Sequence, residues 1–353
     1  MFTAAIQSAM ATLLACGLLA TAARADALLV LEKDTQTLAI VDPTSLAVLA
    51  RLPAGPDPHE VVASSDGSRA YISNYGGEGS ALNILSRIDL TTRQPLVPIS
   101  LGALHSAHGL DFIDGKLYFT AETSKVIGRY DPASGAIDWV LGTGQDRTHM
   151  IRVAPDLKHI YTTNVRSNSV SILESSTHPG FGPSVVTQWN ETVIPAGRGA
   201  EGFDLSPDGR ELWTANAQDG TVTVIDLERK QAIATFPIPV QGANRLKFTP
   251  DGQHVLISGL GRFGAPQAEH VNLVVIEVAS RKTVRSLDLG GGAAGILIVP
   301  GISRAFVAVS GGGKVAVIDL HTFTVSGQIA PMGQPDGLAW VQKGPPRGGP
   351  LKD

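Results

Sequence analysis

Seven residues stand at one recurring position, just ahead of a short apolar segment: His59, His108, His149, Glu201, Asn244, Ala294 and Asp336. Three imidazoles and two carboxylates in one series are the side chains of general acid–base chemistry, in which an imidazole moves a proton and a carboxylate orients it or shares the task. Arginines stand beside three consecutive members, in Asp146-Arg147-Thr148-His149, Gly197-Arg198-Gly199-Ala200-Glu201 and Asn244-Arg245. A guanidinium grips a carboxylate through two parallel hydrogen bonds. The series therefore points to a small anionic molecule, with His149 and Glu201 as the acid–base pair. His59, His108, Arg147, Arg198, Arg245 and Asp336 are the expected ligand contacts. An alternative set, His59, His108, His149 and Glu201, offers nitrogen and oxygen donors for zinc, copper, iron or manganese. No short His-x-x-x-His spacing supports it.

The elements that must position these residues emerge from aligning the chain on itself. Residues 200–236 contain four short apolar runs, the first two joined by Asp208-Gly209, a dipeptide suited to a hairpin turn. Twelve residues separate His59 from Tyr71, His149 from Tyr161, Glu201 from Trp213, Asn244 from Leu256 and Ala294 from Phe306. Third segments end at Asp42, Asp89, Asp131, Glu174, Asp226, Glu277 and Asp319, where a turn acid is expected. Successive copies start 41 to 52 residues apart, the length of a four-stranded propeller blade. The first copy lacks its first strand, and Gly337-Leu338-Ala339-Trp340 supplies it from the other end of the chain. The expected fold is an all-β seven-bladed propeller over residues 26–342, its ring closed by pairing the C-terminal strand with the N-terminal ones.

In such a ring the first strands line a central channel, and the lead-in positions gather at one mouth. The ends of the second strands, Glu32, Asn74, Ala121, Asn164, Asn216, Gly259 and Val309, are expected there too, with Glu122 and Ser310 one residue beyond. Two loops on that face exceed the repeat, Tyr75 to Gly79 and Gly259 to Asn272, and long rim loops commonly bind ligands. The second of them, with Arg262, Phe263 and His270, is the expected contact for an envelope protein. Plainer readings stand beside these. A histidine ahead of a first strand can simply tie neighbouring blades together. The three asparagines suit turns that accept left-handed backbone. Arg245 and Arg262 suit a solvated rim.

Ser-Pro-Asp-Gly-Arg-Glu-Leu-Trp-Thr-Ala-Asn (206–216), Val-Thr-Val-Ile-Asp (222–226), Tyr71-Ile72-Ser73-Asn74 and Tyr161-Thr162-Thr163-Asn164 resemble the repeat of YVTN-type β-propellers. The resemblance covers the whole chain after residue 25 and implies the fold. It leaves activity open, because the wider group holds lactonases, muconate-cycle cyclases, haem d1 proteins and binding proteins without catalysis. Its lactonase and cyclase members imply a hydrolase or lyase with a His/Arg/Glu funnel, matched here in residue type and blade position. Its haem d1 members imply a ligand held without covalent attachment.

Residues 1–25 carry an apolar run from Ala9 to Ala23 followed by Ala23-Arg24-Ala25, a signal-peptide pattern that predicts a periplasmic or secreted protein. The run is short for a membrane span. Cys16 lies near a lipoprotein-like Leu-Leu-Ala, so lipidation there is the alternative to cleavage after Ala25. It is the single cysteine, which leaves the mature chain without disulfide, thiolate metal site or Cys-x-x-Cys-His haem attachment. Losing Arg24 moves the formal charge from −4 to −5, spread without blocks, and a nucleic-acid surface would need a basic stripe. The cofactor left open by composition is a divalent metal, and a monomer is expected. Residues 343–353, rich in Gly and Pro, are expected to be a disordered tail.

Overall fold

Runs such as Thr221–Asp226 alternate branched and small residues, which suits a pleated strand, and an aspartate closes the run into a turn in five of the seven blades. Asp42, Asp89, Asp131, Asp226 and Asp319 each accept backbone N–H bonds from residues two or three positions on, such as Thr44 N at 2.8 Å. The computed structural model describes residues 26–77, 79–180, 184–261, 271–299 and 301–342. Within them the chain forms seven four-stranded antiparallel sheets. In the closing blade, blade 1, the strand Pro335–Val341 pairs with Ala27–Glu32, followed by Thr37–Val41 and Val48–Pro53. The first strands of blades 2 to 7 are Pro58–Ala63, Ala107–Ile113, Thr148–Val153, Ala200–Leu205, Ala243–Phe248 and Ile296–Ile298. The expected leader, with Cys16, and the tail 343–353 lie outside the described residues. No helix among the described residues is long and apolar enough to cross a membrane.

The core is a set of apolar layers between adjacent blades. Trp213, Val222 and Val224 of blade 5 meet Leu246, Val255, Ile257 and Val274 of blade 6. Leu29, Leu31 and Ile40 of blade 1 likewise meet Val61, Ile72 and Ile88 of blade 2. Each fully buried aliphatic side chain contributes about 1.5–3 kcal/mol, so the layers hold the chain without disulfides.

The first strands carry one irregularity in common. In blade 3, Ala107 faces Ala121 but Leu110 faces Phe119, so the first strand has one extra residue. The same slip occurs in blades 1, 2, 4, 5 and 6. The lead-in residue and the one after it form this bulge, which re-aims the side chain at the channel mouth. The position after the lead-in residue is glycine in blades 1, 3, 5 and 7. A Cβ on Gly109 would stand 2.4 Å from the His149 carbonyl, and one on Gly337 equally close to that of His59.

Ring closure uses the main chain of the lead-in residues. In blade 3, Thr120 Oγ1 accepts from Gly109 N at 2.9 Å and donates to the His149 carbonyl of blade 4 at 2.7 Å. Thr163 repeats this between Met150 N and the Glu201 carbonyl, and Ser258 between Arg245 N and the Ala294 carbonyl. The imidazoles are thereby free for other contacts. Thr120→Val keeps the shape but strands two buried backbone groups; the expected loss is about 1–3 kcal/mol in urea unfolding, with the circular dichroism spectrum unchanged.

Candidate functional site

Two local devices place the site. The bulge turns each lead-in side chain toward the mouth, and the residue two positions earlier is left-handed in six blades: Asp57, Ser106, Arg147, Gly199, Gly242 and Gln334. Glycine takes that conformation freely, whereas Arg147 at φ 57 carries strain of about 1–3 kcal/mol. Blade 4 thus holds a strained arginine two residues before His149.

His149 is the centre of the arrangement. Its ring is buried, Nδ1 bonds Glu122 Oε1, and Nε2 stands 2.7 Å from Glu201 Oε2. The second contact is an ion pair rather than an aligned hydrogen bond, since Nε2 makes none. Glu122 also accepts from the Tyr75 hydroxyl at 2.7 Å and from Arg147 Nε at 3.2 Å, and Arg147 Nη1 lies 3.8 Å from Glu201. The His108 ring lies against His149, centroids 3.8 Å apart, and meets His59 at 5.1 Å and Tyr75 at 5.2 Å. Beyond it the Lys33 ammonium contacts His59 Nε2, with Asp57 3.4 Å and Asp336 3.7 Å from that ammonium.

Charges follow from this placement. Burial alone would discharge His149, but the Glu201 and Glu122 carboxylates outweigh it and raise its pKa from 6.5 to about 9. Burial likewise opposes the charge on Glu201, yet His149 and then Arg147 hold it down at about 2. Glu122 is lowered against burial by the same two cations. His108 goes the other way: burial, then the charge on His149, push it well below the ordinary imidazole value. Burial raises Asp336 in spite of His59 and Lys33. The mouth therefore favours the charged form of His149 and the neutral form of His108, their rings tilted against each other.

Several expectations are corrected. Arg198 pairs with Asp219 at 2.7 Å and is 69% exposed; it stands three residues before Glu201, one further than Arg147 stands before His149. Arg245 is buried, not on a solvated rim, and crosses the channel to Glu60 of blade 2. Both line a 300 Å³ cavity with Asp111, Arg152, Asp204 and Lys247, from later positions of the first strands, toward the opposite mouth. The set His59, His108, His149 and Glu201 does not converge; His108, Glu122 and His149 are the group of potential metal donors that does, among the described residues. The asparagines are strand residues, not left-handed turns: buried Asn74 bonds the Ala54 and Pro56 carbonyls, and Asn164 bonds Ser169 and Ser171. Side chains alternate along a strand, so the residue one further faces the mouth. That series begins Lys33, Tyr75, Glu122, and all three belong to the site. The expected second ring was one residue out of phase. Glu78, and Arg262, Phe263 and His270 of the longer rim loop, lie outside the described residues.

A family model describing YNCE-like beta-propellers matches residues 98–304, more than half of the chain. The chain belongs to that family. No curated protein matches it. Solved structures with the fold include the periplasmic gluconolactonase of Pseudomonas aeruginosa, at 17% identity over 91% of this chain and 100% of that one, TM-score 0.69. A functionally unknown protein from Desulfotomaculum acetoxidans aligns at 13% identity over 90% and 99%, TM-score 0.70. The dihydro-heme d1 dehydrogenase NirN aligns at 14% over 88% and 74%, TM-score 0.60. At these identities the likeness shows the β-propeller fold alone, and the count of seven blades in this YNCE-like chain comes from its own sheets.

The ion pair sets a pH window. His149, raised, contributes stability in full below 6.5 that is lost as pH climbs through about 9. Glu201, depressed, contributes in full above 4.5 and loses it as pH falls through about 2. Nitrogen-15 NMR of the His149 ring should show a midpoint near 9, and urea stability should fall from pH 6.5 to 9 in the native chain but not in His149→Gln. A midpoint at or below 6.5 would mean that burial, not the carboxylates, governs the ring.

Proposed function

We propose that this mouth binds a small anionic molecule in a propeller exported from the cytoplasm. The carrying observation is a cavity of about 170 Å³ beside His149, lined by Lys125, Arg147 and Arg166 against the carboxylates of Glu122 and Asp146. Arg147 joins cavity and buried network: Nε and Nη1 meet Glu122 and Glu201, while 28% of the side chain stays exposed. A ligand carboxylate there gains a charge-assisted hydrogen bond without an uncompensated buried cation having to wait for it. Export rests on the leader pattern of residues 1–25, and a gluconolactonase named as periplasmic shares the fold.

A second reading, lactonase- or cyclase-like turnover, is favoured by the protonated state of His149. Its Nδ1 is held by Glu122, so the proton on Nε2, which makes no hydrogen bond, is the one a general acid would give to a departing ring oxygen, and Glu201 beside it would hold the charge of the ring.

Gluconate and gluconolactone are the first compounds to titrate by calorimetry. Arg147→Gly suits the left-handed backbone while removing the guanidinium, so the fold is kept and gluconate affinity should fall at least about tenfold. Arg198→Ala should change nothing. Gluconate binding indifferent to Arg147→Gly would end the anion reading. Gluconolactone hydrolysis lost in His149→Gln with gluconate binding retained would establish turnover.

A further inference from the structure

One feature of the mouth is not used by an anion. His108, Glu122 and His149 each present a donor atom within 4.8 Å of the other two, and all three side chains are buried. Independently, His108 Nδ1 is enclosed and makes no hydrogen bond. Leaving such a nitrogen unpaired costs about 1–3 kcal/mol, and its ring lies against the His149 imidazole. We propose that His108, Glu122 and His149 are the protein ligands of a divalent transition metal.

Two imidazoles and one carboxylate form a donor set that leaves a fourth position open on zinc. Donors about 2.0–2.2 Å from one ion stand about 3.4 Å apart, so the trio closes by side-chain rotation alone. His108 draws in, while His149 and Glu122 give up their direct contact. Two of the three ligands already have the outer partner that fixes such donors: Glu122 is held by Tyr75 and Arg147, and His149 faces Glu201 through its other nitrogen. The imidazolium of His149 is the metal-free form of this centre. His59, kept by Lys33, Asp57 and Asp336, is not a ligand.

The inference shares the mouth with the anion reading but does not rest on it, so each is tested without the other's ligand. Zn²⁺ is titrated into the metal-free full chain by calorimetry, with no organic molecule present. One equivalent should bind with Kd at or below about 10 µM. His108→Ala and Glu122→Gln should each weaken it at least about tenfold, and His159→Ala, an exposed histidine paired with Asp156 and Glu174, should leave it unchanged. Cu²⁺ loaded into the unaltered chain should show electron paramagnetic resonance coupling to two imidazole nitrogens, a readout that needs no variant to fold. No Zn²⁺ binding below about 1 mM, binding indifferent to His108→Ala, or coupling to fewer than two nitrogens would overturn the proposal.

Discussion

The site depends on the bulge that opens the first strand of six blades. One extra residue there separates two tasks that would otherwise compete for the same position. The carbonyl of the lead-in residue accepts a hydroxyl from the preceding blade and ties the ring, as Thr120 does for His149 and Thr163 for Glu201. Its side chain is left facing the mouth. A polar residue can therefore vary at this position without loosening the ring, since the closing bond is made by backbone that every residue has.

That freedom is used unevenly. Blades 1 to 5 supply Lys33, His59, Tyr75, His108, Glu122, Arg147, His149 and Glu201 to a single chain of contacts. Blade 7 offers Ala294 at the matching position. Burying charge is costly unless partners stand close, and here each buried ion has an opposite neighbour: His149 has two carboxylates, and Glu122 has His149 and Arg147. The neutral His108 completes the balance, because a second imidazolium against His149 would be repelled in a poorly hydrated place.

The fold was legible because the repeat is strict. Twelve-residue spacings, Asp-Gly hairpins and closing aspartates recur in register, and each has a local cause that survives tertiary context. His149 and Glu201 were legible as neighbours because adjacent blades place equivalent residues side by side. Glu122 and Tyr75 were legible only as neighbours of the second ring, and Lys33 not at all, for a reason of phase: the second strands end on residues that point between the sheets, and the mouth is reached one residue later. Arg198 and Arg245 show the reverse limit. An arginine reaches far enough that its exact place before or after the lead-in residue and the nearest carboxylate, Asp219 or Glu60, decide where its charge goes.

The pairing of Arg245 with Glu60 also gives the channel two ends. These residues follow lead-in positions in blades nearly opposite each other, where blades 1, 3, 5 and 7 carry glycine. The glycines let neighbouring backbones approach, and the remaining large side chains, Glu60, Met150 and Arg245, line the channel between the mouths. Buried as they are, the Glu122–His149–Glu201 contacts act in a medium of lower dielectric than the exposed rim pairs, such as Lys125 with Asp146. The same carboxylates that would be screened at the rim can hold an imidazolium, or a metal ion, at the mouth.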